Sequence, residues 1–250
     1  MNEPMNKNKK LKSIRSNLIS RSLSLSKLTL KSGALAAGQG LNKLFSNVDN
    51  RDEYLAKQIK ILTEELGELK GTLMKAGQLL STYGEHFLPP EALEFIKSLQ
   101  FQSPPVVWSE LQKVLEKNLD AELLNEIEVD EEPLAAASLG QVHIAKIKES
   151  GEKIVLKIQY PNLERVINSD LRALKRIMSL LNFLPKEGNY DLLFDEIRSM
   201  LYRELDYSIE ADSLKKIGGI LKNDARFVLP QVIDRYSAKQ VLAMSFEEGL

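Results

Sequence analysis

The sequence contains no cysteine, and its 250 residues include two histidines, His86 and His143. The absence of cysteine excludes disulfide frameworks, thiolate metal sites, iron–sulfur ligation and cysteine nucleophiles. Two histidines exclude a multi-histidine metal centre and leave little basis for a Ser-His-Asp triad. No apolar run approaches the roughly 18 residues that a membrane-spanning helix needs. What remains is an ordinary globular composition, 43% hydrophobic and 28% charged, which is long enough to bury a core in one or two domains.

Charge is unevenly distributed along the chain. Residues 1–31 contain eight lysines and arginines against one acid, Glu3, whereas the whole chain has a formal charge of −1. Residues 32–250 therefore carry a net charge of −8. An acidic body disfavours nucleic-acid binding, so we expect no nucleic-acid partner.

The basic arm is rich in serine, and its apolar residues fit one helix face: Leu11, Ile14, Leu18, Leu25 and Leu28. This spacing is typical of a basic amphipathic helix on an anionic membrane surface. A solvated tail is an equally weighted alternative, and a mitochondrial transit peptide is a third. With the small-residue linker at 33–40, residues 1–48 are predicted to be an arm and a linker.

Residues 49–125 are predicted to form a helical extension. Apolar residues alternate at spacings of four and three from Leu55 to Leu73, which predicts a helix of about five turns. Two shorter amphipathic helices are predicted near 91–99 and 108–118, separated by consecutive prolines.

From about residue 126 the pattern combines helices and strands. The predicted elements are a hairpin with strands at 142–147 and 154–158, helices at 161–183 and 190–217, and strands at 227–230 and 240–245. The predicted fold class is therefore α+β, with a unit at 126–250 that is preceded by the helical extension.

Charged residues stand out in two of these elements. Lys157 lies in an apolar strand, where an unpaired cation is costly, and kinases place a phosphate-binding lysine on such a strand. A solvent-facing lysine is an equally weighted alternative. Glu204, Asp206 and Glu210 follow on the helix, where Asp206 and Glu210 are expected to share a face. Glu210 could pair with Lys157; a solvated acidic face is the alternative.

Two further segments attract attention. Lys75 and Gln78 are three residues apart on the extension, away from its leucine stripe, and they are either solvated or turned toward another segment. Residues 133–143, rich in alanine, precede the Lys157 strand where a kinase carries its glycine-rich loop. Alanine methyl groups in such a loop predict a more restrictive grip on phosphates than glycine gives. We expect His143 to be a surface strand residue.

Together these segments resemble the UbiB/AarF family of atypical, protein-kinase-like proteins. The segments that carry the resemblance are Lys75–Gln78 (Lys-x-Gly-Gln), Ala135–His143 (alanine-rich loop), Val155–Pro161 (lysine strand), Glu204–Asp206 (Glu-x-Asp) and Glu210. The four motifs, with Glu210 after the last of them, stand in the family's order. The resemblance implies a kinase-like small lobe whose extension folds over the substrate channel.

The resemblance also implies roles for individual residues. It implies a catalytic group of Lys75, Gln78, Lys157, Glu204, Asp206 and Glu210, in which Lys157 pairs with Glu210 and Lys75 meets Glu204 and Asp206. It implies that ATP or ADP with Mg²⁺ contacts Ala135, Ala136, Ala137, Ser138, Leu139, Gly140, Lys157, Met244 and Phe246. Ser245, between the last two, stands where relatives usually have glutamate.

Leu250 directly follows this expected hinge, and no counterpart of the kinase catalytic-loop Asp and Asn or of Asp-Phe-Gly precedes it. We therefore expect a truncated chain without the C-lobe and without Mg²⁺ ligands of its own, and whether it is an enzyme stays open. The resemblance implies an ATPase-like protein that supports ubiquinone or isoprenoid-lipid metabolism, in the cytoplasm at a membrane surface or, in a eukaryote, in mitochondria. A C-lobe supplied by a separate chain, or a biosynthetic complex, would be a partner of such an enzyme. The alternative is an inactive, pseudokinase-like module that binds a partner or a membrane.

Overall fold

The computed structural model describes residues 71–85, 87–98, 105–180, 183–184 and 190–248. The basic arm, the linker and most of the predicted leucine-stripe helix lie outside the described residues. Within them the chain divides into two compact units, the first formed by 105–164 and 199–248 and the second by 71–98 and 165–198. None of the described helices is long and apolar enough to cross a membrane.

The described residues form α-helices, a short 3-10 helix and one sheet. The helices are α1 (Thr72–Tyr83), α2 (Pro90–Ser98), α3 (Trp108–Asn118), α4 (Ala121–Glu126), α5 (Leu163–Leu180), α6 (Tyr190–Glu204) and α7 (Tyr207–Leu221), with the 3-10 helix at Asp234–Tyr236. The strands are β1 (Ile127–Ala136), β2 (Gly140–Ile147), β3 (Lys153–Gln159) and β4 (Val241–Ser245). These elements confirm the predicted α+β class.

The sheet has the order β1-β2-β3-β4, and every neighbouring pair is antiparallel. The β2–β3 hairpin turns at Gly151, whose φ of 75° favours glycine because a Cβ is disfavoured in this region. In the centre of the sheet Lys157 lies opposite Val142 on one side and Leu242 on the other. Since directly paired residues project from the same face, these three side chains share one face.

The other face of the sheet carries polar side chains that the segment before α3 covers. Gln141 and His143 are fully buried there, and Gln141 Oε1 accepts a hydrogen bond from Val106 N–H at 2.5 Å. His143 Nδ1 lies 2.8 Å from the carbonyl oxygen of Asp130, and its ring centroid lies 5.0 Å from that of Trp108. The prediction of a surface position for His143 is therefore wrong, because Trp108 covers this face.

Several predicted elements match those in the structure, and others do not. The predicted helix at 190–217 is two helices, interrupted at Leu205 and Asp206. The predicted strand at 227–230 is wrong. The segment that lies alongside β4 is instead residues 231–233, where Ser245 N–H donates to the Gln231 carbonyl at 2.9 Å. Pro230 has no N–H to contribute to such a ladder. Helix α4 and strand β1 were not predicted.

The second unit contains α1 and a buried polar contact at its beginning. Thr72 is 1% exposed, and its hydroxyl donates a hydrogen bond to the carboxylate of Asp170, which is fully buried on α5. A buried carboxylate is costly without such donors. Gly71, with a φ of 82°, precedes the helix in a conformation that favours glycine. These contacts fix the beginning of the helix that carries Lys75 and Gln78.

Candidate functional site

An ion pair between β3 and α7 lies at the centre of the candidate site in the first unit. Lys157 Nζ is 2.6 Å from Glu210 Oε1 and 2.7 Å from Glu210 Oε2, so the ammonium contacts both carboxylate oxygens. The Lys157 side chain is 23% exposed and that of Glu210 is 45% exposed. The pair therefore lies at the border between the sheet and solvent, where a ligand can reach it. The structure thus brings together the two residues that the resemblance pairs.

Tyr207, the first residue of α7, lies beneath this ion pair. Its ring centroid is 4.9 Å from Lys157 Nζ, within the range of a cation–π interaction. Tyr207 packs in a buried cluster with Ala211 and Leu242, and its own side chain is almost completely buried. Burial, together with the negative charge of Glu210, raises the pKa of the Tyr207 hydroxyl well above its usual range. The hydroxyl therefore keeps its proton at neutral pH.

The backbone of the segment between α6 and α7 is held by hydrogen bonds to residues at the end of β3 and before β4. Gln159 Nε2 donates to the Leu205 carbonyl at 3.0 Å, and Tyr207 N–H donates to the Lys239 carbonyl at 2.9 Å. These contacts anchor the beginning of α7 at the end of β3. As a result Glu210, in the first turn of the helix, is placed within reach of Lys157.

Asp206 is the N-cap of α7 and is not inside a helix. Its φ and ψ of −115° and 96° are extended, and its side chain accepts a hydrogen bond from Ser208 N–H at 3.0 Å. An N-cap carboxylate satisfies one of the free N–H groups at a helix start. The prediction that Asp206 and Glu210 share a helix face is therefore wrong. Glu204 is the exposed last residue of α6.

The alanine-rich segment forms the β1–β2 turn. Ala135 and Ala136 end β1, Ala137, Ser138 and Leu139 form the turn, and Gly140 begins β2. Ala137 N–H donates to the Gly140 carbonyl at 2.8 Å, closing the turn. The three alanines are exposed, whereas Leu139 and Gly140 are buried. The segment thus presents small side chains to solvent and is anchored at its C-terminal end.

Gly140 is required to be glycine by its neighbours. A Cβ at this position would lie 2.5 Å from the carbonyl oxygen of Ile158 and 2.8 Å from the hydroxyl oxygen of Tyr207. The turn therefore lies close against both β3 and the beginning of α7. This close approach joins the alanine-rich segment to the Lys157 environment.

The expected hinge residues lie at the end of β4. Met244 is half-buried and packs against the Tyr207 cluster. Ser245 Oγ accepts from Gln231 N–H at 2.8 Å and lies 2.6 Å from Glu247 Oε1. The ring of Phe246 lies 5.9 Å from Lys153 Nζ. Ser245 is thus held by residues 231 and 247 of the same chain.

Lys75 and Gln78 belong to the second unit. Both lie on α1, where Lys75 is half-buried and Gln78 is exposed. The role that the resemblance implies for them, toward Glu204 and Asp206, stays a prediction.

Two buried polar residues were missed from the sequence alone. Tyr207 directly follows the Glu-x-Asp motif, but a tyrosine beside an acidic motif gives no signal of its burial. Asp170 had a usable signal, because it lies three residues after the buried Ile167 and four before the buried Leu174. A carboxylate at a core position of an amphipathic helix indicates a buried polar contact.

The described residues contain no group of three or more histidine, aspartate or glutamate side chains arranged to hold a metal ion. A cation bound with a nucleotide can also be held by the phosphates themselves and by a single carboxylate.

Comparison with known proteins identifies the family. Residues 98–250 match the ABC1 atypical kinase-like domain. The chain is 34% identical over 228 residues to the mitochondrial atypical kinase COQ8 of Saccharomyces cerevisiae. The aligned region covers 87% of this chain and 45% of that protein. The chain is 30% identical over 195 residues to the mitochondrial atypical kinase COQ8 of Schizosaccharomyces pombe, covering 78% of this chain and 32% of that protein.

A chloroplast protein and a solved structure are also similar. ACTIVITY OF BC1 COMPLEX KINASE 8 of Arabidopsis thaliana is 34% identical over 206 residues, or 80% of this chain and 26% of that protein. The complex of Rv3197 with erythromycin from Mycobacterium tuberculosis is 30% identical, with a TM-score of 0.48 over 80% of this chain and 52% of that chain. This chain thus spans less than half the length of the curated relatives compared here. The family match covers more than half of the sequence, so the chain belongs to the ABC1 (UbiB/COQ8) atypical kinase-like family, with a kinase-like fold.

Proposed function

We propose that the first unit binds ATP or ADP with Mg²⁺ and that Lys157 contacts the nucleotide phosphates. The observation that carries this proposal is the contact of Lys157 Nζ with both carboxylate oxygens of Glu210, at 2.6 and 2.7 Å. In kinases this lysine–glutamate pair holds the phosphate-binding cation in place. Membership in a kinase-like family supports the same ligand class.

Three further observations fit a phosphate ligand beside Lys157. The Lys157 side chain remains 23% exposed although its ammonium is ion-paired. The β1–β2 turn offers exposed alanines next to a glycine that admits no side chain. The buried hydroxyl of Tyr207 has no hydrogen-bond partner among the described residues. A cation, a small-residue turn and a spare donor together form an environment for an anion.

Within this site each residue of the chain has a defined task. Glu210 orients Lys157, and Lys157 provides positive charge to the phosphates. The β1–β2 turn, Ala135–Gly140, covers the phosphates, and Met244 and Phe246 at the end of β4 hold the base. When bound, the nucleotide supplies a phosphoryl group for hydrolysis or transfer, a reaction that depends mainly on positioning and electrostatics.

For the whole protein we propose an ATPase-like role in ubiquinone or isoprenoid-lipid metabolism at a membrane surface. Relatives named COQ8 and described as mitochondrial atypical kinases support this proposal. Lys75 and Gln78 of the extension are proposed to act at the substrate side. Because the chain spans 45% of the yeast relative, further catalytic groups are proposed to come from sequence outside this chain.

Calorimetric titration of the 250-residue chain with Mg-ADP and Mg-ATP tests the nucleotide proposal. We expect Lys157→Ala to weaken binding by about tenfold or more, since a charge-assisted hydrogen bond contributes about 1.5–3 kcal/mol. Lys113→Ala is the matched control, because Lys113 also forms a 2.6 Å ion pair, with Glu110, and neither residue belongs to the proposed site.

The outcomes of the titration separate the proposal from its alternative. Wild-type binding that survives in Lys113→Ala and is lost in Lys157→Ala supports the nucleotide site. Equal affinities in all three proteins would show that Lys157 has no phosphate role. No binding by the wild-type chain would favour the inactive module that binds a partner or a membrane.

A further inference from the structure

The Tyr207 hydroxyl is an unsatisfied donor inside the first unit. Tyr207 is 3% exposed, and its hydroxyl oxygen is buried without a hydrogen-bond partner among the residues that the structure describes. Leaving a buried polar group without a partner destabilises a protein. A phenylalanine could fill the same space and form the same ring contacts without this cost. The hydroxyl therefore requires an explanation beyond packing.

The position of the hydroxyl links it to the phosphate side of the site. Its oxygen lies next to Gly140, at 2.8 Å from the point where a Cβ would stand. On the same side chain, the ring centroid is 4.9 Å from Lys157 Nζ. One side chain thus contacts both the cation and the anchored end of the turn Ala135–Gly140.

The turn above the hydroxyl is exposed at its alanines and anchored at Leu139 and Gly140. Apart from its strand pairing, it is closed by the Ala137 N–H to Gly140 carbonyl bond at 2.8 Å, and Leu139 accepts from Tyr160 N–H at 2.9 Å. Ala135, Ala136 and Ala137 are exposed and contribute little burial. The hydroxyl lies at the end of the turn that the sheet holds, since Gly140 pairs with Gln159, so a ligand would reach it from the side of Lys157.

We propose that Tyr207 is a positioning residue of the nucleotide site: its ring fixes Lys157, and its hydroxyl obtains a hydrogen-bond acceptor only when phosphate oxygens, or a water that they order, occupy the space below the turn. This inference rests on the proposed nucleotide function and deepens it. The hydroxyl keeps its proton at neutral pH because burial raises its pKa, so it can act as the donor. It follows that the ligand-free site carries an unpaired group that binding satisfies.

The test compares Tyr207→Phe with the wild-type 250-residue chain in two measurements, the melting temperature without ligand and the Kd for Mg-ADP. Removing an unpaired hydroxyl should leave the ligand-free melting temperature unchanged or raise it by about 2–4 °C. The same variant should bind Mg-ADP about tenfold more weakly, which corresponds to about 1.4 kcal/mol. Tyr207→Leu, which also removes the ring from Lys157, should bind more weakly still.

Tyr236→Phe is the matched control. Tyr236 is also 3% exposed, but its hydroxyl donates to Glu126 Oε2 at 2.8 Å. Removing this paired hydroxyl should lower the melting temperature and leave the Kd for Mg-ADP unchanged. Tyr207→Phe should therefore weaken Mg-ADP binding without lowering the melting temperature, whereas Tyr236→Phe should lower the melting temperature without weakening binding. A general loss of stability cannot produce this contrast.

The results distinguish this inference from the proposed function on which it rests. If the wild-type chain binds Mg-ADP and Tyr207→Phe binds equally well, the inference about the hydroxyl is wrong and the nucleotide site stands. A lower ligand-free melting temperature for Tyr207→Phe would also overturn it, because the hydroxyl would then have a partner before binding. If the wild-type chain binds no nucleotide, both proposals fail.

Discussion

Lys157 illustrates how one residue acquires its role from two neighbouring elements. Its strand places it between Val142 and Leu242 on one face of the sheet, and α7 brings Glu210 to that face. The pair is partly exposed, and such ion pairs contribute only about 0–1 kcal/mol to stability. The ion pair therefore contributes little to stability, and its main effect is to fix the direction of the Lys157 ammonium.

At the residue scale we expect Glu210→Gln to separate binding from stability. The variant keeps the side chain's shape but removes the charge that orients Lys157. The Kd for Mg-ADP should rise about tenfold, whereas the free energy of unfolding should change by less than about 1 kcal/mol. Titration and urea unfolding of the same samples measure both. Glu110→Gln, which breaks the Lys113 ion pair, is the control; a Kd that changes equally in both variants would contradict the expectation.

At the scale of elements, the Glu-x-Asp segment is a helix boundary. Leu205 is buried and its carbonyl is held by Gln159, while Asp206 caps α7. The segment thus sets where α7 begins and therefore where Glu210 lies. An acidic motif that a sequence comparison would assign to chemistry has a structural task here as well.

Two variants of Asp206 separate these tasks. Asp206→Ala should lose about 1 kcal/mol of unfolding free energy because the cap is lost, whereas Asp206→Asn should keep most of it, since asparagine caps equally well. Chemical denaturation measures this difference. If Asp206→Asn is stable but has lost Mg-dependent nucleotide affinity, the carboxylate charge has a further role. A stable Asp206→Ala variant would instead contradict the capping role.

A second element boundary is held by Glu126 at the end of α4. Its carboxylate accepts from Arg235 Nε at 2.9 Å and from the Tyr236 hydroxyl at 2.8 Å, joining the helix to the 3-10 turn. The hydrogen bond from Arg235, followed by that from Tyr236, lowers the pKa of Glu126. The ionised carboxylate is therefore favoured more strongly in the folded than in the unfolded state.

This pKa shift predicts a pH dependence with a defined sign. The contribution of Glu126 to stability is fully present above its unfolded-state pKa of about 4.3 and is lost as the pH falls through its lower folded-state pKa. Glu126→Gln should therefore be less stable than wild type at pH 7, with the difference shrinking below about pH 4. Thermal unfolding across this range measures it. A difference that is constant with pH would refute the assignment.

At the scale of the whole molecule, the described part divides into two units, with the Lys157–Glu210 site in one and Lys75 and Gln78 in the other. The family match at 98–250 includes the whole of the first unit's described part. The basic arm at 1–31 lies outside the described residues. Its role in membrane binding remains a prediction from charge and spacing.

Vesicle flotation tests the arm with a charge-matched control. Replacing Lys7, Lys9, Lys10 and Lys12 by Gln should sharply reduce binding to anionic vesicles, since each basic residue contributes about 1 kcal/mol near such a surface. Replacing the exposed body lysines Lys113, Lys117, Lys146 and Lys216 changes the net charge equally and should have little effect. Equal flotation of the two variants would contradict a role for the arm.

The sequence by itself determined the family, the α+β class, the hairpin around Gly151 and the pairing of Lys157 with Glu210. The class and the hairpin follow from local periodicity and turn residues. The family and the Lys157–Glu210 pair follow from the order of the motifs and from the family that they resemble. Thr72 and Asp170 could in part have been predicted, since a carboxylate interrupts an apolar stripe.

Only the tertiary structure decided which polar residues are buried and where α7 begins. His143 is covered because Trp108 packs over its face of the sheet, and Tyr207 is covered because α7 is anchored to β3 and the 239–240 turn. Neither contact is between residues close in sequence. Burial depends on what packs against a side chain from elsewhere in the chain, so local patterns cannot specify it.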